Sequence, residues 1–184
     1  MTFEELKSRV PDYAKDVRMN VGSIATVTSL TAQQLWGTVV ACAMATRNAD
    51  VIRAAATESA AHLSAEAMNA AKTAGALMAM NNIYYRFTHL VGNKEYSQMP
   101  ARLRMNGMAN PGVDKVDFEL WSLGVSAING CGMCIESHEH HVLQNGASKE
   151  TVQDVVRIAA ILNSLAVTLD TEAALSASSL AEAA

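Results

Sequence analysis

Aromatic side chains are scarce in this sequence, 5% of 184 residues, which disfavours a sheet built on aromatic and β-branched pairs. Plentiful alanine and ten methionines favour closely packed helices instead. No Lys/Arg cluster interrupts a chain of net charge −4, so the electrostatic footprint needed to bind a nucleic-acid backbone is missing. No long unbroken apolar run is present either. Met19 to Thr46 carries no charge, but Gly22, Ser23, Thr26, Thr28, Ser29, Thr31, Gln33 and Gln34 break it. The continuous part, about Val39 to Met44, is far shorter than the roughly 20 apolar residues of a membrane span, and reads as a buried core helix. Met1 to Val17 lacks the apolar core of a signal peptide, so the chain is expected in the cytoplasm, with no membrane partner. Three cysteines, Cys42, Cys131 and Cys134, are too few and odd in number for a disulfide framework, which turns attention to redox or metal chemistry.

What is present is a succession of helix signals. Thr31 with Gln34 makes a capping-box pattern that opens a helix through about Arg47. A short helix is expected over Ala49 to Ala61, and Ser64 opens another to about Tyr85. Gly92 to Lys115 holds Pro100, Gly107 and Asn110-Pro111-Gly112, a cluster that stops helices. Asp114 or Asp117 then caps a helix through Ile128, Asn129-Gly130 interrupts it, and a new helix begins near Cys131. A last helix follows Ser148 and carries Val152, Val155, Val156, Ala159, Ala160 and Leu162. The expected fold is all-α, one domain over 1–184, with an N-terminal half of about 1–91, a connecting segment of about 92–115 and a C-terminal half of about 116–178. The halves look alike: Gln34-Leu35-Trp36 and Glu119-Leu120-Trp121 lie about 85 residues apart, and each opens a helix of small and apolar residues. An ancient duplication explains this, and matching the tryptophans puts Thr46 and Ala49 where the second copy holds Cys131 and Cys134. The uncharged faces of the Leu35 and Leu120 helices suggest burial against other subunits.

The chemistry concentrates in Cys131-Gly132-Met133-Cys134 and His138. Cysteines three apart at a helix start share a face and approach closely enough for a disulfide, and the helix N-terminus favours a thiolate there. His138, four residues on, falls on the same face. The arrangement suits two-electron reduction of a peroxide bond, with Cys134 attacking, Cys131 resolving and His138 moving the proton. An imidazole in that role needs an orienting carboxylate; Glu119, the odd acid on an otherwise uncharged helix, is the candidate. Cys42, among Val39, Val40, Ala41 and Ala43, reads as an inert buried hydrophobe. Trp36, Trp121, Met78 and Met80 read as core, and His140 and His141 as solvated.

Glu119-Leu120-Trp121-Ser122, Val125 to Cys131, and Cys134 with His138, together with Met80-Asn81-Asn82 and Leu103 to Asn106, resemble the alkyl hydroperoxidase D (AhpD) family, over about Leu6 to Leu175. The resemblance implies an AhpD-like helical fold related to carboxymuconolactone decarboxylases, a homotrimer, and an antioxidant thiol peroxidase. It implies Cys134 as the sulfenic acid intermediate, Cys131 as proton donor and disulfide partner, and Glu119 with His138 as proton relay. It further implies a peroxiredoxin partner of AhpC type, with electrons from the lipoyl group of an acyltransferase and its dihydrolipoamide dehydrogenase, and no bound metal, haem or flavin. Some members carry histidine just before the second cysteine; Met133 stands here, so rate and pH profile are expected to differ.

Other readings of the same residues are a thiol-disulfide exchange adaptor with little peroxidase activity, and a zinc-stabilised module in which His140 or His141 joins Cys131, Cys134 and His138. Decarboxylase or lactone chemistry would have no need of the cysteine pair.

Overall fold

The computed structural model describes the backbone of residues 1–182 and the side chains through residue 177, so the last two positions of the expected 1–184 domain lie outside the described residues. Among the described residues there are ten α-helices and no strand: α1 (Phe3–Lys7), α2 (Lys15–Ser23), α3 (Ala32–Thr46), α4 (Ala49–Ser59), α5 (Ala65–Leu90), α6 (Glu95–Gln98), α7 (Asn106–Ala109), α8 (Lys115–Asn129), α9 (Gly132–Gln144) and α10 (Lys149–Glu182). The chain is all-α, as its composition implies.

The caps act as their residue types require. Thr31 Oγ1 accepts from the Gln34 N–H at 3.2 Å, and Gln34 Oε1 accepts from the Thr31 N–H at 3.1 Å, closing the capping box of α3. Ser64 accepts from the Ala67 N–H and Ser148 from the Thr151 N–H, fixing the starts of α5 and α10. Of the two aspartates before Trp121, Asp114 caps α8. Asp117 is buried and accepts instead from the side-chain amides of Gln33 and Gln34 on α3.

α3, α5, α8 and α10 form the centre, and α9 lies against α8 and α5. α3 and α8 approach most closely because Gly37 faces the Trp121 ring and Gly124 faces Cys42 and Val155. The Trp121 indole N–H also donates to the Gln34 carbonyl at 3.2 Å. The Met19–Thr46 stretch therefore ends in a core helix, with Val39, Ala41, Cys42 and Ala43 fully buried. α10 is long and apolar enough through Ala177 to cross a membrane, but more than half of its apolar window is buried inside the fold, where it packs on α3 and α8.

Three expectations are corrected. α5 runs five residues past Tyr85, because nothing stops it before Gly92, which takes φ 73°. The uncharged faces of α3 and α8 are covered by each other and by α5 and α10 within the chain, not left for other subunits; the exposed apolar stripe is Ile83, Phe87 and Leu90 on α5. Finally, aligned by their left-handed C-caps, Arg47 (φ 62°) matches Gly130 (φ 65°). Asn48 and Val51 thus stand opposite Cys131 and Cys134, in place of Thr46 and Ala49. A tryptophan match displaced from the caps by a fraction of a turn does not preserve helix phase.

The glycine contacts give a direct test. A Cβ at Gly37 would lie 2.1 Å from the nearest Trp121 ring atom, and one at Gly124 would lie 2.6 Å from Cys42 Sγ. Overpacking a core costs about 1–3 kcal/mol and sometimes more, so in urea unfolding Gly37→Ala is expected at or above the top of that range and Gly124→Ala within it. Parent-like midpoints in both would contradict the packing.

Candidate active site

The turn between α8 and α9 delivers the cysteines. Gly130 takes the left-handed conformation that most side chains resist, and the Cys131 N–H turns back to the Ser126 carbonyl at 3.1 Å. Cys131 is the N-cap of α9, with no side-chain cap bond over the first turn. The region of positive helix potential is thus left to the sulfur atoms. Cys131 and Cys134 are joined in a disulfide, with Cα atoms 5.3 Å apart. Cys131 is fully buried and Cys134 is 6% exposed.

One turn on, buried His138 holds Glu119 of α8 through Nδ1···Oε2 at 2.6 Å. Burial by itself pushes the Glu119 carboxyl up. The hydrogen bond and charge of His138, aided by the fields of His141 and Lys115, outweigh it and hold the group below the ordinary carboxyl range. With the carboxylate accepting, the Nδ1 position carries the proton and Nε2 is left to face the cavity side. There Nε2 lies 3.3 Å from the sulfur of Met78 on α5.

A cavity of about 330 Å³ opens over Cys134 and His138, walled by Met78 and Asn81 of α5, Met105 and Met108 around α7, and Met133. Met78, which reads as plain core in the sequence, is thus both buried and part of the site. A second group missed by pattern reading is a polar ladder from α5 to the end of α8. Asn82 Nδ2 donates to Ser126 Oγ at 2.9 Å, Asn129 Nδ2 donates to Asn82 Oδ1 at 3.0 Å, and Arg86 donates to the Asn129 carbonyl at 2.7 Å. It pins the residue before Gly130 and so the position of the cysteines. The available signal was Asn81-Asn82 inside an alanine-rich helix. His140 is exposed and His141 half-buried. Cys42 is fully buried, and burial pushes its thiol well above the usual range. Among the described residues, no group of three or more His, Cys, Asp or Glu side chains is arranged to hold a metal ion.

A model of the carboxymuconolactone decarboxylase family matches residues 94–183. The chain is 58% identical to the alkyl hydroperoxide reductase AhpD of Rhodospirillum centenum, covering 96% of this chain and 95% of that one. It is 60% identical to the protein of that name from a Bradyrhizobium species, covering 94% and 96%, and 60% identical to that of Rhodopseudomonas palustris, covering 95% and 96%. The chain belongs to the AhpD family. As an AhpD-family member it is a redox enzyme of peroxidase type, and its disulfide-linked Cys131–Cys134 pair supports a thiol-redox role.

The buried Glu119–His138 pair has a pH signature. A carboxyl held low in the fold contributes stability that is fully present above the unfolded value of about 4.5 and is lost as pH falls through the lower folded value. Glu119→Gln is expected to cost about 1.5–3 kcal/mol at neutral pH, the worth of a charge-assisted hydrogen bond. In urea unfolding across pH, that deficit should shrink below about 4.5; a deficit independent of pH would contradict an ionised Glu119.

Proposed function

We propose that the protein reduces organic hydroperoxides by a dithiol/disulfide cycle in which Cys134 attacks, Cys131 resolves, and His138 held by Glu119 carries the proton. The observation that supports this best is the 2.6 Å Glu119–His138 bond on the same cavity wall as Cys134. Cys134 gives its proton to His138 Nε2, and the thiolate attacks the terminal peroxide oxygen. The O–O bond breaks, Cys134 becomes the sulfenic acid, and the departing alkoxide takes a proton from His138, which the Cys131 thiol replenishes. The Cys131 thiolate then attacks the Cys134 sulfur, and the hydroxyl leaves as water. One hydroperoxide and two thiols thus give one alcohol, one water and the disulfide.

Re-reduction requires a dithiol that reaches a pair at most 6% exposed. A slender, flexible lipoyl arm fits that access. We therefore assign the reducing role to the lipoyl group of an acyltransferase, itself reduced by dihydrolipoamide dehydrogenase. The dithiol would in turn serve a peroxiredoxin of AhpC type, in the cytoplasm. The Ile83, Phe87 and Leu90 stripe on α5, exposed at 62%, 46% and 71%, is the surface we assign to contacts within a homotrimer. The enzyme needs no bound cofactor in this scheme.

The test is intact mass of the reduced protein after one equivalent of an organic hydroperoxide. Loss of two hydrogens mapped to Cys131–Cys134 is expected, with a trapped sulfenic acid at Cys134 in Cys131→Ser. His138→Phe should slow the oxidation by about 100-fold or more, the usual range for general acid–base catalysis. Unchanged mass in the parent, or an undiminished rate in His138→Phe, would overturn the cycle.

A further inference from the structure

Asn81 is 3% exposed and lines the cavity over Cys134, yet its side-chain amide is almost unused. Nδ2 donates only to the Met108 sulfur at 3.4 Å, a weak acceptor, and Oδ1 has no hydrogen-bond partner. A buried amide oxygen without a donor is costly, and native proteins keep few of them. Asn82, the next residue, spends its amide on Ser126 and Asn129. Beside Tyr85, Ser137, Cys134 and His138, the walls around Asn81 are four methionines, Met78, Met105, Met108 and Met133. Their unbranched thioether chains fill space loosely and move aside for apolar ligands of varied shape.

A ligand for this site must offer one donor and one adjacent acceptor at its polar end, and an apolar body elsewhere. A hydroperoxide end, O–O–H, has that pair. We propose that Asn81 is a substrate-binding residue that selects bulky apolar organic hydroperoxides. Its Oδ1 accepts the peroxide O–H, its Nδ2 leaves Met108 to donate to the inner peroxide oxygen, and the organic group lies among the four methionines. This deepens the peroxidase reading and rests on it. Hydrogen peroxide meets the amide's requirement but leaves most of a cavity of about 330 Å³ unfilled, whereas one water takes about 30 Å³. A dialkyl peroxide fills it but brings no donor.

The site can be tested without turnover, on the disulfide form of the full chain with methyl-labelled methionine, by NMR titration with 2-phenyl-2-propanol and its methyl ether. These share an apolar body and differ in the O–H. The alcohol is expected to shift the methyls of Met78, Met105, Met108 and Met133, and to bind about fivefold tighter than the ether, the ratio given by one neutral hydrogen bond of about 1 kcal/mol. In Asn81→Leu, which keeps the heavy-atom count and branching, the preference should vanish while the ether still binds. Equal affinity for the two probes in the parent, shifts confined to other methionines, or a preference surviving in Asn81→Leu would each overturn the assignment. Because neither probe is reduced, failure here is separate from failure of the peroxide cycle, which the mass measurement reads.

Discussion

The hydrogen bond between Glu119 and His138 is the constraint from which the rest of the site follows. A carboxylate on α8 and an imidazole on α9, both buried, are each unfavourable without the other. Together they fix the tautomer and the ring plane of His138, and so determine which nitrogen meets the cavity. The bond also ties α9 to α8 one turn beyond the cysteines, so the thiols, the base and the carboxylate move as one unit. Met78 closes the far side of the imidazole with a sulfur atom, a soft neighbour that has no proton to donate and so leaves the Nε2 lone pair free.

The surrounding fold serves that alignment. Gly37 and Gly124 let α3 and α8 approach to a distance that side chains would forbid, and α8 in turn carries Glu119, Ser126 and Asn129. The ladder from Arg86 through Asn129 and Asn82 to Ser126 holds the end of α8 against α5. Left-handed Gly130 then starts α9 at the required angle. Reactive groups mounted on packed helices with a satisfied polar shell are held far more tightly than on a loop. Here only Gly130 and Cys131 separate α8, which carries Glu119, from α9, which carries Cys134 and His138.

Much of this was legible in the sequence because it is local. Capping residues, the Cys131–Cys134–His138 spacing and the Gly130 interruption act over a few residues, and the structure places the helices accordingly. Glu119 could be singled out because it is the last charge before a stretch that is uncharged through Cys134. Contacts between distant segments were not legible. Met78 and Asn81 follow an apolar helical rhythm, and only the seating of α7 on α5 shows that they wall a cavity. The two single-turn helices α6 and α7 are too short to carry a periodic signal. The correspondence between the halves misled by a fraction of a turn, since a repeated tryptophan is a pattern of residues and not of helix phase.

The protonation geometry of His138 is the central feature and can be observed directly. Nitrogen NMR of ring-labelled histidine in the reduced protein, in mildly alkaline buffer, distinguishes the two imidazole nitrogens. The expected spectrum has the His138 proton on Nδ1, hydrogen-bonded to Glu119, with Nε2 unprotonated, and this order is lost in Glu119→Gln. A proton resident on Nε2, or a tautomer indifferent to Glu119→Gln, would contradict the arrangement.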